Sequence, residues 1–299
     1  MFIVTQLIGL AVIHAYSPQE YRIVYSNGTT ENITVQKQLP YGMQPPEVKE
    51  EIDFWKIFPS MIIAFVIAIS LVLLLSKIKA KVFIRLWFFV VIILALSLTF
   101  YAFLQDKLPY ASYFVLILAI PLAYIKVFRQ NFLVHNFTEL LIYPGIAAVF
   151  VPILSIWTII ILLVLISIYD IWAVWHTGFM QKMAKFQINE VKVFGGFFIP
   201  YISKSLRAKL KKLPKSKLKK KKIKVSLAIL GGGDVVFPII FAGVVLRALG
   251  WVPALFVTLG AVLAVLYLFL FAKKDKAYPA MPYITIGTLA ALALAQLVF

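Results

Sequence analysis

The chain has 299 residues, of which 62% are hydrophobic and 14% charged, where soluble domains carry about 45–50% apolar and about 25% charged residues. A mean hydropathy of +0.94 makes lipid the solvent of most of it and excludes an ordinary soluble domain. Zero Cys and three scattered His exclude disulfide frameworks and thiolate chemistry, and they leave no spacing for a metal site, so neither metal nor cofactor is expected. The formal charge of +18 reports topology and anionic lipid in so apolar a chain.

A lipid-spanning helix needs about 20 mainly apolar residues. Nine stretches qualify as spans, at about 1–16, 57–76, 83–104, 109–125, 140–154, 155–175, 225–248, 251–272 and 279–298. The sequence therefore predicts an all-α polytopic membrane protein of nine transmembrane helices, with residues 1–299 forming a single membrane domain. Ala15 near the end of the first stretch also fits a cleaved signal peptide, but no Lys or Arg precedes the apolar run, which favours a retained helix. A polar loop follows at 17–56. The fifth stretch is short and interrupted by Pro144, Gly145 and Pro152, which lipid tolerates only where neighbouring helices satisfy the freed backbone groups.

Orientation follows from Lys and Arg, which accumulate in cytoplasmic loops. With the N-terminus cytoplasmic, the inside loops hold 24 basic residues and the outside six. Fifteen of the 24 lie in the loop 176–224, which is assigned to the cytoplasm, with 17–56 and the C-terminus external. Twelve basic and no acidic residues between Lys204 and Lys224 predict attraction to anionic lipid headgroups, at about 1 kcal/mol per basic residue near the surface. Nucleic acid is not expected, because the run lacks the aromatics that stack on bases.

Most of the 12 acidic residues fall in loops, Glu139 among those assigned to inside loops or their edges. Asp170 and Asp234 remain, inside the sixth and seventh spans, where an Asp costs roughly 2.5–3.5 kcal/mol. The sequence offers no buried Lys or Arg as partner. At about 1.5 Å per residue, Asp170 lies about 8 Å and Asp234 about 14 Å from the cytoplasmic boundary, close enough to meet at one level. Two facing carboxylates share a proton. One is then a base that takes a proton from water and the other an acid that hydrogen-bonds a carbonyl oxygen, the equipment of aspartyl proteolysis. A proton-coupled transporter using the pair as a relay also fits, although no paired half-sequences are visible.

The surrounding residues narrow the choice. Tyr169-Asp170 stands on one span, Gly231-Gly232-Gly233-Asp234 on the next, and Pro279-Ala280-Met281 opens the last. In this order they resemble the GxGD intramembrane aspartyl proteases, the presenilin and signal peptide peptidase family, with Met281 standing where the family carries Leu. The resemblance implies an intramembrane endopeptidase with Asp170 and Asp234 catalytic. It implies a transmembrane peptide as substrate, bound near Tyr169, Gly231, Gly232, Gly233, Pro279, Ala280 and Met281. The text Gly233-Asp234-Val235-Val236-Phe237-Pro238 resembles signal peptide peptidases, whereas Pro279-Ala280-Met281 and the basic inside loop look like presenilins. The charge count favours the presenilin orientation, in a prokaryotic, archaeal-type homologue at the cell membrane. A prepilin-type peptidase shares the GxGD text but usually carries a Lys soon after the Asp, and none follows Asp234 before Lys273. Pro253-Ala254-Leu255 opens the eighth span on the far side and is read as ordinary helix-start proline use. The glycines admit close backbone approach, and Lys222–Ser226 alternates enough for a short strand beside the substrate.

Overall fold

The computed structural model describes residues 1–24, 30–35, 37–43, 48, 50–78, 80–129, 131–176, 183, 186–201, 226–271 and 278–298. Nine α-helices occur among them: α1 (Phe2–Ala15), α2 (Glu51–Lys77), α3 (Lys81–Leu104), α4 (Ala111–Tyr124), α5 (Phe132–Phe150), α6 (Ile156–Trp175), α7 (Gly232–Leu249), α8 (Trp251–Phe271) and α9 (Met281–Val298). Eight are long and apolar enough to cross a membrane, and α1 is a shorter apolar helix. The chain is a multi-pass membrane protein. Two antiparallel hairpins complete it, β1 (Gln19–Val24) with β2 (Thr30–Val35) and β3 (Gly196–Tyr201) with β4 (Ser226–Gly231). The basic run 204–224 and Lys222–Val225 of the expected strand lie outside the described residues.

Two element boundaries differ from the sequence reading. The fifth span does not start at 140: α5 begins at Phe132, because the Asn131 side chain accepts from the N–H groups of Leu133 and Val134 and caps it. His135, Asn136, Thr138 and Glu139 thus become buried helix residues. The seventh span does not start at 225 either. Residues 226–231 are strand, in register Gly196↔Gly231 to Tyr201↔Ser226, and Gly231 in extended conformation ends it as the residue before α7. Three consecutive glycines weaken any helix that would run through them.

The largest cluster of buried apolar residues is shared by α1, α2, α5, α6, α7, α8 and α9, with Phe197 of β3 and Leu230 of β4 packed into it. Small residues set the closest approaches. A Cβ on Gly145 of α5 would strike the Ala95 carbonyl of α3, and one on Gly287 of α9 would stand 2.7 Å from the Gly260 carbonyl of α8. Pro144 leaves a gap in the hydrogen bonding of α5, and in that turn the Thr99 hydroxyl of α3 donates to the Leu141 carbonyl at 2.6 Å. Buried Gln6 of α1 donates to the Val235 carbonyl of α7 at 3.1 Å, beside the gap left by Pro238. Gly287→Leu is expected to separate α8 from α9 and destabilise the protein by about 1–3 kcal/mol, read as a lower thermal midpoint in detergent.

Candidate active site

Asp170 stands five residues before the end of α6 at Trp175, and Asp234 is in the first turn of α7. Because α7 starts at Gly232, Asp234 is about 3 Å into its helix rather than deep within it, and Asp170 about 8 Å from its own helix end. Both sit towards the ends of α6 and α7 that flank the loop 176–224. Asp170 is buried and Asp234 half-buried. The two carboxylates lie within electrostatic reach of each other, and among the described residues neither forms an ion pair.

Asp170 is aimed by α9. Its Oδ2 accepts the Met281 N–H at 3.0 Å, and the Ala280 N–H is directed at it as well. The first N–H groups of a helix have no partner within it, so Asp170 terminates α9 while α9 orients Asp170. One turn earlier, Ser167 Oγ donates to the Leu163 carbonyl at 2.7 Å and takes up the Thr285 hydroxyl at 2.8 Å. Two consecutive turns of α6 are thereby tied to two of α9, and Asp170 cannot swing.

The Pro279-Ala280-Met281 element thus does something the sequence did not reveal. The resemblance places it against the substrate, yet its Met281 N–H is already taken by Asp170. Met281 itself is 3% exposed and packed in the core. Pro279 is buried and Ala280 half-buried. Pro253-Ala254-Leu255 lies in the first turn of α8, beyond the opposite end of α7 from Asp234.

The three glycines differ in what they make room for. A Cβ at Gly231 would sit 3.1 Å from Asp234 Oδ2, and one at Gly232 would meet the Tyr143 hydroxyl at 2.9 Å. Gly233 is exposed, and a Cβ there would meet only the Phe237 ring at ordinary van der Waals distance. The Gly232 N–H donates to the Gly195 carbonyl at 3.2 Å, which binds the start of α7 to the chain entering β3. Tyr169 is half-buried with its ring tilted against Trp172, centroids 6.5 Å apart.

The β3–β4 sheet leads straight into Asp234. Asn136 of α5 covers its β3 side, donating to the Phe198 carbonyl at 2.9 Å and accepting the Phe198 N–H at 3.1 Å. Below it, buried Lys126 and Glu139 form an ion pair, with His135 bonded through Nε2 to the Gly196 carbonyl at 2.9 Å. The sequence reading that left Asp170 and Asp234 as the sole intramembrane acids is therefore corrected. Glu139 is a further acid within a spanning helix, 1% exposed, and it has a cation partner in Lys126, whereas among the described residues Asp170 and Asp234 form no ion pair. The signal was present, since a Lys and a Glu flank the Asn131 cap.

Residues 47–299 match the family model described as signal-peptide peptidase, presenilin aspartyl protease. The chain belongs to this family. It is an aspartyl protease, a hydrolase embedded in the membrane, and of the activities left open by the sequence this membership selects the presenilin and signal peptide peptidase type. A comparison with curated proteins finds no match. Among solved structures, two crystal forms of a presenilin family intramembrane aspartate protease share the fold. In the C222 form the TM-score is 0.59 at 16% identity, covering 100% of this chain and 95% of that one. In the P2 form the values are 0.60 and 17%, covering 100% and 96%. The matched span 47–299 contains Asp170, Asp234 and Met281, while α1 precedes it.

Proposed function

We propose that this membrane aspartyl protease cleaves transmembrane segments with Asp170 and Asp234 as a water-activating pair. The observation that carries this reading is two carboxylates on adjacent helices, within electrostatic reach of each other and, among the described residues, in no ion pair. One carboxylate takes a proton from water as the water oxygen bonds to the scissile carbonyl carbon. The acid partner gives its proton to the carbonyl oxygen, forming a gem-diol. The C–N bond then breaks as the newly protonated aspartate gives its proton to the nitrogen and the ionised aspartate takes one from a gem-diol hydroxyl, releasing an amine and a carboxylic acid and returning the dyad to its starting charge.

A helical substrate hides its peptide bonds, so the segment must unwind first. On this reading the unwound chain adds to the outer edge of β4, since Asn136 already covers the β3 side, and main-chain pairing then delivers it to Asp234. Exposed Gly233 lets its backbone come close. Tyr169, Gly231, Gly232, Pro279, Ala280 and Met281 shape the groove around it, Met281 indirectly through its hold on Asp170. Of the strand expected at Lys222–Ser226 only Ser226 is among the described residues, and it opens β4, Ser226–Gly231.

The test is incubation of the detergent-purified protein with a single-span peptide and mapping of the fragments by mass. Two complementary fragments cut within the span are expected, and an intact peptide contradicts the reading.

The basic balance supports an orientation with 176–224 cytoplasmic and 17–56 external, the run 204–224 lying against anionic lipid. In a chain with zero Cys, single cysteines make labelling clean. An impermeant reagent on intact cells is expected to label a cysteine at Gln38 and spare one at Lys211. The reverse pattern indicates the signal peptide peptidase orientation.

A further inference from the structure

At the end of the bundle away from Asp170 and Asp234, the last turn of α7 meets the first turns of α2 and α6 around a cavity of about 390 Å³. Phe54, Ile156, Trp157 and Val244 give it apolar walls, and Glu51 and Arg247 bring opposite charges to it. Glu51 is the first residue of α2, and Arg247 stands two residues before the end of α7 at Leu249. Both charges therefore lie where spanning helices leave the hydrocarbon, with Val244 one turn deeper. α2 is the least buried of the eight spans, at 12% against 33–56% for the others, so its flank meets lipid. The protein's own pairing leaves these two charges over. Lys37, which lines a smaller cavity with Arg247, is bound to Asp106 at 2.7 Å, and Asp53 of α2 to Lys56 at 3.3 Å. Among the described residues neither Glu51 nor Arg247 belongs to an ion pair. A guanidinium has five N–H donors, and the one hydrogen bond Arg247 forms among these residues is a long one, donated to the Val151 carbonyl at 3.4 Å.

We propose that this cavity binds one phospholipid with a zwitterionic, ammonium-bearing headgroup, Arg247 taking the phosphate and Glu51 the ammonium while an acyl chain lies along Trp157, Ile156 and Val244. The planar guanidinium matches phosphate oxygens in pairs. Phosphate alone would satisfy Arg247, but a lipid of net negative charge sets that charge beside Glu51. In a phosphoethanolamine head the ammonium is only a few bonds from the phosphate, so one molecule answers both side chains. Trp157 is 61% exposed at the level where indole rings prefer to sit in a bilayer, and it supplies a flat wall for the upper part of the chain. A soluble phosphate ester leaves these apolar walls uncovered. The bound lipid joins loosely packed α2 to α6, the helix that carries Asp170.

The experiment adds phosphatidylethanolamine, phosphatidylglycerol or soluble glycerophosphoethanolamine to the detergent-purified full chain and measures bound adducts by native mass spectrometry. Wild type is expected to hold one phosphatidylethanolamine per chain, about three- to tenfold more tightly than phosphatidylglycerol, the scale of one partly solvated ion pair. Glycerophosphoethanolamine should not be retained. Arg247→Gln is expected to weaken the phosphatidylethanolamine adduct about tenfold or more, the loss of a charge-assisted hydrogen bond. Glu51→Gln should still bind phospholipid, with its preference between the two lipids reduced to within about twofold. Both side chains are exposed, so each variant should keep the wild-type thermal midpoint in lipid-free detergent and lose part of the rise that added phosphatidylethanolamine gives wild type. Equal affinity of wild type for the two lipids overturns the inference, and so does an undiminished adduct in Arg247→Gln. Retention of glycerophosphoethanolamine as strong as that of the lipid overturns it too. If the cavity instead seats the flanking residues of a substrate, Arg247→Gln raises KM for a single-span peptide with an acidic flank while the lipid adduct persists, which also overturns it. Should Arg247→Gln fail to fold, the preference measured in Glu51→Gln decides alone.

Discussion

Asp170→Ala and Asp234→Ala are each expected to reduce cleavage of a single-span peptide by about four to six orders of magnitude, the scale on which groups that act as one unit fail when either is lost. The two variants are expected to differ in stability. Asp170 takes up the Met281 N–H at 3.0 Å at the start of α9, so Asp170→Ala leaves a buried donor without its acceptor and lowers the thermal midpoint. Asp234→Ala removes a carboxylate that stands within electrostatic reach of Asp170, so its midpoint stays level or rises. Rates on one peptide, together with melting curves, check both parts. Near wild-type turnover in either variant contradicts the dyad.

Lys126→Met is expected to destabilise the protein by about 3–5 kcal/mol, because removing one member of a buried ion pair strands the charge of the other. The side chains of Lys126 and Glu139 are 2% and 1% exposed, so water cannot compensate Glu139. Replacing both, as Lys126→Met with Glu139→Leu, is expected to recover most of the loss, since an apolar pair of similar volume is often neutral in such a site. Thermal denaturation of the two proteins in one detergent is the check. A single variant as stable as wild type means that the pair is solvated after all. Because Glu139 lies one turn from Tyr143, and Nε2 of His135 holds the Gly196 carbonyl, the same loss reaches the β3–β4 sheet beside Asp234.

The parts of the site that the sequence made legible are those where lipid makes polarity expensive. Asp170 and Asp234 stood out because no other acidic residue stands in their apolar runs, and glycines before one and a proline-led element ahead of the last span gave their surroundings. Hydropathy placed the spans well for the same reason. It failed where polar residues are paid for by partners distant in sequence. Lys126 and Glu139 each read as loop because neither shows the other, and the start of α5 was lost with them although Asn131 is a good cap. The β3–β4 hairpin was hidden because Leu227–Leu230 is as apolar as a helix. Tyr143 looked like one aromatic among many. Only the fold reveals that it stands over Gly232, and that the Met281 N–H is bound to Asp170 rather than free.

The most direct measurement is an experimental structure of the protein bound to a peptide whose scissile bond is replaced by a hydroxyl-bearing isostere. In such a complex the isostere hydroxyl stands where the tetrahedral oxygen forms. The two-aspartate mechanism predicts that carboxyl oxygens of both Asp170 and Asp234 lie within about 2.5–3.0 Å of that one hydroxyl, with the peptide extended along β4. An isostere hydroxyl that contacts only one of the two, or a site in which the carboxyl groups face away from each other, contradicts it.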